Sequence, residues 1–119
     1  MELRILLLNP NEEAREAMIE DSVPAIQNVV GGLFQAVYPF DDPVALVCND
    51  EGKLLGLQPN RALRDKRGEI YDIICGPAFI VGLGDESFCS LSDDMVEKYA
   101  ALFKKPESFV FIGGRIFSV

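Results

Sequence analysis

The five residues Val44–Cys48 (VALVC) are apolar at every position, and no other feature constrains the fold as strongly. Successive side chains on a strand point to opposite faces, so an unbroken apolar strand has to be covered on both sides. Asn49-Asp50-Glu51-Gly52 follows, then Lys53-Leu54-Leu55. The pattern predicts a hairpin with Gly52 at a positive-φ turn position. The 119 residues are enough for one domain of this kind and too few for two ordinary ones.

The remaining elements follow from punctuation. Leu3–Leu8 reads as an interior strand stopped by Asn9-Pro10-Asn11. Asp21-Ser22 before Val23-Pro24 is a helix start, a capping side chain followed by proline in the first turn. A fresh start there argues that Arg15–Ile19 is a separate strand, hairpinned to the first. The helix Pro24–Val30 carries Val23, Ile26 and Val30 on one stripe and stops at Gly31-Gly32. Leu33–Tyr38 alternates as a strand, and Pro39–Pro43 is a loop. Gln58–Glu69 reads as a polar connection. Ile70–Ile74 and Ala78–Val81 read as short strands separated by Gly76-Pro77. Ser92 caps a second helix over Asp93–Phe103, with Met95, Val96, Tyr99, Leu102 and Phe103 on its apolar stripe and Lys104 and Lys105 at its negative end. Phe109–Ile112, Gly113-Gly114 and Arg115–Val119 suggest a terminal hairpin. Strands outnumber helices and no regular βαβ alternation appears. The expected class is α+β, a single small domain with an antiparallel-rich mixed sheet and two principal short helices. It spans residues 1–119, a body over 1–105 and an apolar extension over 106–119.

Composition removes several chemistries. There is no histidine, the commonest general base and metal ligand. Cys48, Cys75 and Cys89 lie far apart without a CxxC spacing, and Cys48 and Cys75 sit in apolar runs as buried thiols. No cofactor, metal or redox disulfide is expected. The adjacent acids Asp41-Asp42, Asp85-Glu86 and Asp93-Asp94 cannot act as acid–base couples, because neighbours diverge on either a strand or a helix. They read as solvated loops and a helix cap. Gly82-Leu83-Gly84 and Gly113-Gly114 lack any phosphate-cradling pattern and read as turns. An enzyme is therefore not expected. No segment reads as a signal peptide or membrane span, and free thiols suit a reducing compartment, so a cytoplasmic location is expected.

Charge is more informative. Nineteen acids against eleven bases give a net charge of −8. Residues 60–67 (NRALRDKR) carry Arg61, Arg64, Lys66 and Arg67 against Asp65, a local +3 that leaves −11 on the rest. An acidic body disfavours general nucleic-acid or membrane binding. The basic segment is still a candidate binding site for one anionic group or an acidic partner, through Asn60, Arg61, Arg64, Lys66 and Arg67. The plainer reading is a solvated loop paired with nearby acids. Arg61 admits a structural reading as well, its fork tying loop carbonyls or a buried acid.

Several features resemble the domain of unknown function 3846 family. They are Val30-Gly31-Gly32 after a short helix, the turn Asn49–Lys53, Asn60-Arg61, and Gly76 before an apolar strand. The stretch Phe88–Phe103 joins them, with its Ser-Leu-Ser-Asp opening and Val96, Tyr99 and Phe103. The resemblance covers Met1–Lys104 and leaves the tail after Pro106 outside. It implies small cytoplasmic proteins of phages, plasmids and conjugative elements, often encoded near antirestriction genes, with no established activity. Together these readings favour a non-catalytic acidic interaction protein of mobile genetic elements, acting by contact with a partner protein. DNA mimicry is a sharper version, for which the charge density is modest. The alternative is a small-ligand or anion-binding module built on the Asn60-Arg61 loop. The tail adds one expectation. Its alternation makes both faces of the hairpin apolar, so covering one still leaves the other, and a homodimer through the tail is the simplest cover.

Overall fold

The computed structural model describes residues 1–119. β1 (Glu2–Leu8) and β2 (Arg15–Glu20) form the expected antiparallel hairpin, pairing Leu3 with Ile19 and Leu7 with Arg15. Ser22 caps α1 (Val23–Val30), its hydroxyl accepting from the Ala25 amide, and Gly31 ends the helix at a left-handed φ of 82°. β3 (Phe34–Val37), β4 (Val44–Asn49), β5 (Pro59–Arg64), β6 (Ile70–Cys75), β7 (Ala78–Leu83) and the two-residue β8 (Phe88–Cys89) follow. Ser92 caps α2 (Asp93–Leu102), and the chain ends in β9 (Phe109–Ile112) and β10 (Arg115–Ser118).

The main sheet runs β2-β1-β7-β4-β3, with β8 added to β7. Every strand pair is antiparallel, which goes further than the antiparallel-rich expectation. β4 lies between β7 and β3 and is buried along its whole length. One face of the sheet (Leu3, Ile5, Ala45, Val47, Phe79, Val81) packs under Ile26 and Val30 of α1. The other (Leu6, Leu8, Val44, Leu46, Ile80) packs under Tyr99, Phe103, Leu63 of β5 and Ile74 of β6. Each such side chain contributes about 1.5–3 kcal/mol on full burial, so the apolar run at β4 dictates the three-layer build. No helix is long and apolar enough to cross a membrane.

Two expectations about the middle of the chain are corrected. β4 does not turn back through Asn49–Gly52. Both of its edges are taken by β3 and β7, so Lys53–Leu55 has no strand to pair with and runs through a turn, leaving Leu54 and Leu55 exposed. Gly52 does not take a positive φ. It is needed because a Cβ there would overlap the Cys75 carbonyl oxygen. Gln58–Glu69 is not a polar connection either. Its first part is β5, paired with β6 as a separate two-stranded layer and buried from Pro59 to Leu63. The polar residues Asn60 and Arg61 made it read as a loop, but each finds hydrogen-bond partners inside the protein.

The tail forms the expected hairpin with Ile112 opposite Arg115, and Gly113 and Gly114 take φ of 57° and 78°. It makes a two-stranded sheet of its own and does not extend the main one. Its inner side, through Phe109 and Ile116, covers Ala62, Ile73 and Cys75. Val110, Ile112 and Phe117 share the outer face and are exposed.

Candidate functional site

Of the candidate binding residues, the structure separates Asn60 and Arg61 from Arg64, Lys66 and Arg67. The β5–β6 register is irregular between Pro59 and Arg61, and a bulge of this kind re-aims side chains. Asn60 is completely buried. Its Nδ2 donates to the Leu8 and Gly76 carbonyls, each at 2.8 Å, tying β5 to β1 and to the β6–β7 turn. Its Oδ1 accepts from Arg61 Nη1 at 2.9 Å.

Arg61 is 1% exposed. Nε and Nη2 donate to the Phe103 carbonyl at 3.3 and 3.2 Å, Nη2 to the Glu12 carbonyl at 2.6 Å, and Nη1 to the Asn9 carbonyl at 3.3 Å. The fork thus joins the β1–β2 turn to the end of α2. Burial pulls the Arg61 pKa down while the charge of Glu107 opposes the shift. No carboxylate lies within ion-pair distance, so every hydrogen bond of the buried guanidinium goes to a neutral group, and the Glu107 charge acts from farther off. Arg64, Lys66 and Arg67 are exposed, Lys66 and Arg67 at the β5–β6 tip, where Asp65 Oδ1 accepts from the Arg67 and Glu69 amides.

Behind Arg61 the surface is concave. A hollow of about 360 Å³ lies between β5, the end of α2, Pro39-Phe40 and the Lys105–Glu107 connection to the hairpin. Arg64 reaches its rim and donates from Nη2 to Glu107 Oε1 at 2.7 Å, while Glu107 Oε2 accepts from the Ala62 amide at 2.7 Å. Lys105 lines the hollow and makes no ion pair. The sequence reading placed Lys105 only at the negative end of the second helix and missed Glu107; both lie some forty residues from β5.

On the opposite face of the sheet a wider groove of about 560 Å³ lies between the start of α1, β3 and the β7–β8 turn. Val23, Phe34, Tyr38, Leu83 and Phe88 form its apolar part, and Asp21, Asp85 and Glu86 stand at its acidic rim. Val23 and Tyr38 are more than half exposed, and none of the three acids is ion-paired. Asp85 and Glu86 are exposed in the connection between β7 and β8.

The other perturbed groups serve the fold. Asp42 Oδ2 accepts from the buried Tyr99 hydroxyl at 2.6 Å and from Lys98 Nζ at 2.5 Å, fastening the β3–β4 loop to α2. The Lys98 and Tyr99 hydrogen bonds hold the Asp42 carboxyl below its ordinary range, and burial followed by the Asp42 bond pushes the Tyr99 hydroxyl up. Burial pushes the Cys48 thiol to about 11 and raises Cys75, whereas Cys89 is exposed. Arg4, the lone cation in an apolar strand, likewise ties its strand to a distant carbonyl but, unlike Arg61, also has carboxylate partners, Asp93 and Glu16. Its Nε and Nη2 donate to the Leu91 carbonyl at 2.9 and 2.6 Å, and Nη1 donates to Asp93 at 2.7 Å. No three Cys, Asp or Glu side chains converge closely enough to hold a metal ion.

Residues 2–104 match the family described as Domain of unknown function (DUF3846). The match ends before the hairpin and before two residues of the hollow, Lys105 and Glu107. No curated protein matches the chain, and no solved structure does.

Proposed function

This chain belongs to the DUF3846 family, whose description assigns no activity, and from that premise we propose that it is a non-catalytic acidic interaction protein working by contact with a partner protein. The observation that carries this reading is the acid-rimmed apolar groove. Asp21, Asp85 and Glu86 surround exposed apolar surface and have no cation of their own. Charges at a rim steer encounter and select the partner's sign, while the apolar centre supplies affinity. The fitting partner is a basic segment that presents one or two apolar side chains. The cytoplasm of a bacterium carrying a phage or plasmid is the setting proposed, and host defence or antirestriction the process, as the family resemblance implies.

Replacing Tyr38 with a photo-crosslinking residue and irradiating host lysate should capture a basic protein at the groove. Binding of that protein, once purified, should weaken at least about tenfold for Asp85→Lys/Glu86→Lys, the loss of roughly 1.4 kcal/mol of charge complementarity. Capture of nothing specific, or equal binding by the charge-reversed variant, would overturn the proposal.

The hairpin supports a second contact within the same reading. Val110, Ile112 and Phe117 form an outer apolar face that the domain itself leaves open. A second copy of the chain is the proposed cover, giving a homodimer through the tail.

A further inference from the structure

We infer that the hollow beside β5 binds a small ligand with one anionic group, a carboxylate or a phosphate, on a flat apolar body. The inference goes beyond the groove and its partner, because the hollow lies on the other face of the sheet. It rests on which groups in the hollow still have hydrogen-bonding capacity. The two acids are engaged. Glu107 accepts from the Ala62 amide with one oxygen and from Arg64 with the other, and Asp65 Oδ1 serves the turn amides of Arg67 and Glu69. The cations are not used up. Arg64 spends one of its five donors on Glu107, and Lys105 spends none. Behind the wall lies Arg61, a buried cation with no carboxylate beside it. Its charge acts in a low-dielectric setting, partly offset by that of Glu107. In a chain of net charge −8, three cations against two engaged acids make this concavity locally positive.

The apolar part of the ligand follows from the walls. Phe40 and Phe103 meet edge to face at 5.9 Å, with Leu102 and Pro39 beside them. A volume of about 360 Å³ suits a one-ring ligand. An anion on such a ring would take the free Arg64 fork and the Lys105 ammonium while the ring rests on Phe40 and Leu102. Lys105 and Glu107 lie past the family match, whereas the apolar walls and Arg64 lie within it.

The test uses amide chemical shifts of the full-length protein titrated with benzoate, phenyl phosphate, benzamide and inorganic phosphate. Saturable shifts are expected at Phe40, Arg64, Phe103 and Lys105 with benzoate, phenyl phosphate or both, and the stronger of the two identifies the anion class. Benzamide, the uncharged isostere, should bind at least about tenfold more weakly, as should inorganic phosphate, which lacks the ring. Arg64→Ala/Lys105→Ala should also weaken binding about tenfold or more, while Lys66→Ala/Arg67→Ala at the hairpin tip leaves it unchanged. Absence of saturable shifts at the hollow would overturn the inference. Equal binding of benzamide, or equal weakening by the tip variant, would do so too. None of these outcomes bears on the groove.

Discussion

Arg61→Leu keeps an apolar side chain of moderate size in place and removes every bond the fork makes. The Glu12 and Phe103 carbonyls and Asn60 Oδ1 accept from Arg61 and from no other donor, whereas the Asn9 carbonyl keeps the Glu12 amide. The Phe103 carbonyl and Asn60 Oδ1 are buried, and each buried acceptor left unpaired costs about 1–3 kcal/mol, so the two cost about 2–6 kcal/mol, while the carbonyl of the exposed Glu12 can turn to water. Relief from burying a guanidinium offsets part of that. The net expectation is a loss of about 2–4 kcal/mol, a sizeable share of the roughly 6–18 kcal/mol expected of 119 residues. Apolar replacement of a buried ion pair is often harmless because both partners can be removed. Here the partners are mostly backbone carbonyls, which no substitution removes. Urea unfolding followed by circular dichroism should show a lower midpoint with an unchanged slope. Amide exchange should speed up at residues 9–14 and 102–107, the two segments the fork joins. Arg61→Lys should recover less than half of the loss, since one ammonium cannot span both segments. An Arg61→Leu protein within about 1 kcal/mol of the parent would refute the reasoning, because that is the size of an ordinary surface change.

Three further outcomes are expected. The full chain should be a dimer by light scattering at tens of micromolar and Ile112→Glu/Phe117→Glu a folded monomer, since both substitutions sit on the outer hairpin face and leave the Phe109–Ile116 side covered; a monomeric parent would end the dimer proposal. At neutral pH one thiol, Cys89, should react with a disulfide reagent in the native state and all three after denaturation. Because the folded Cys48 value of about 11 lies above its ordinary 9.0, the stability it contributes is complete below about pH 9 and lost as pH rises toward 11. A urea midpoint that stays flat across that window would contradict the account.

Where burial and local pattern agree, the sequence was enough. VALVC demanded cover on both faces and received it from α1 on one side and from α2 with β5–β6 on the other. Ser22, Gly31 and Ser92 marked helix ends through side-chain and left-handed caps that need only nearby residues. The register of the terminal hairpin followed from Gly113-Gly114. The errors came where a long-range contact outweighed local pattern. Asn49-Asp50-Glu51-Gly52 has the composition of a hairpin turn, but β7 arrives from about thirty residues downstream to take the edge of β4. Gly52 is demanded by the approach of Cys75, again a distant residue.

The same cause hid the site. A cation is written as exposed or buried according to its neighbours in sequence, yet Arg61 and Arg64 sit three residues apart on one strand and meet opposite fates. Arg61 is drawn inward by the carbonyls of Glu12 and Phe103, about fifty and forty residues away, while Arg64 stays at the surface with Glu107. The local +3 read over residues 60–67 therefore does not form one patch. One charge is interior, two are at a hairpin tip, and the fourth joins Lys105, which no window around β5 contains. The acids divide in a related way, with Asp21, Asp85 and Glu86 gathered on the α1 face from segments more than sixty residues apart. The proposed acidic groove and the proposed cationic hollow thus lie on opposite faces of the sheet. A basic partner would be steered to the first and an anionic ligand to the second, both attractions weakening as salt shortens the reach of exposed charges. Because the two proposed sites lie on opposite faces, a test of either leaves the other open.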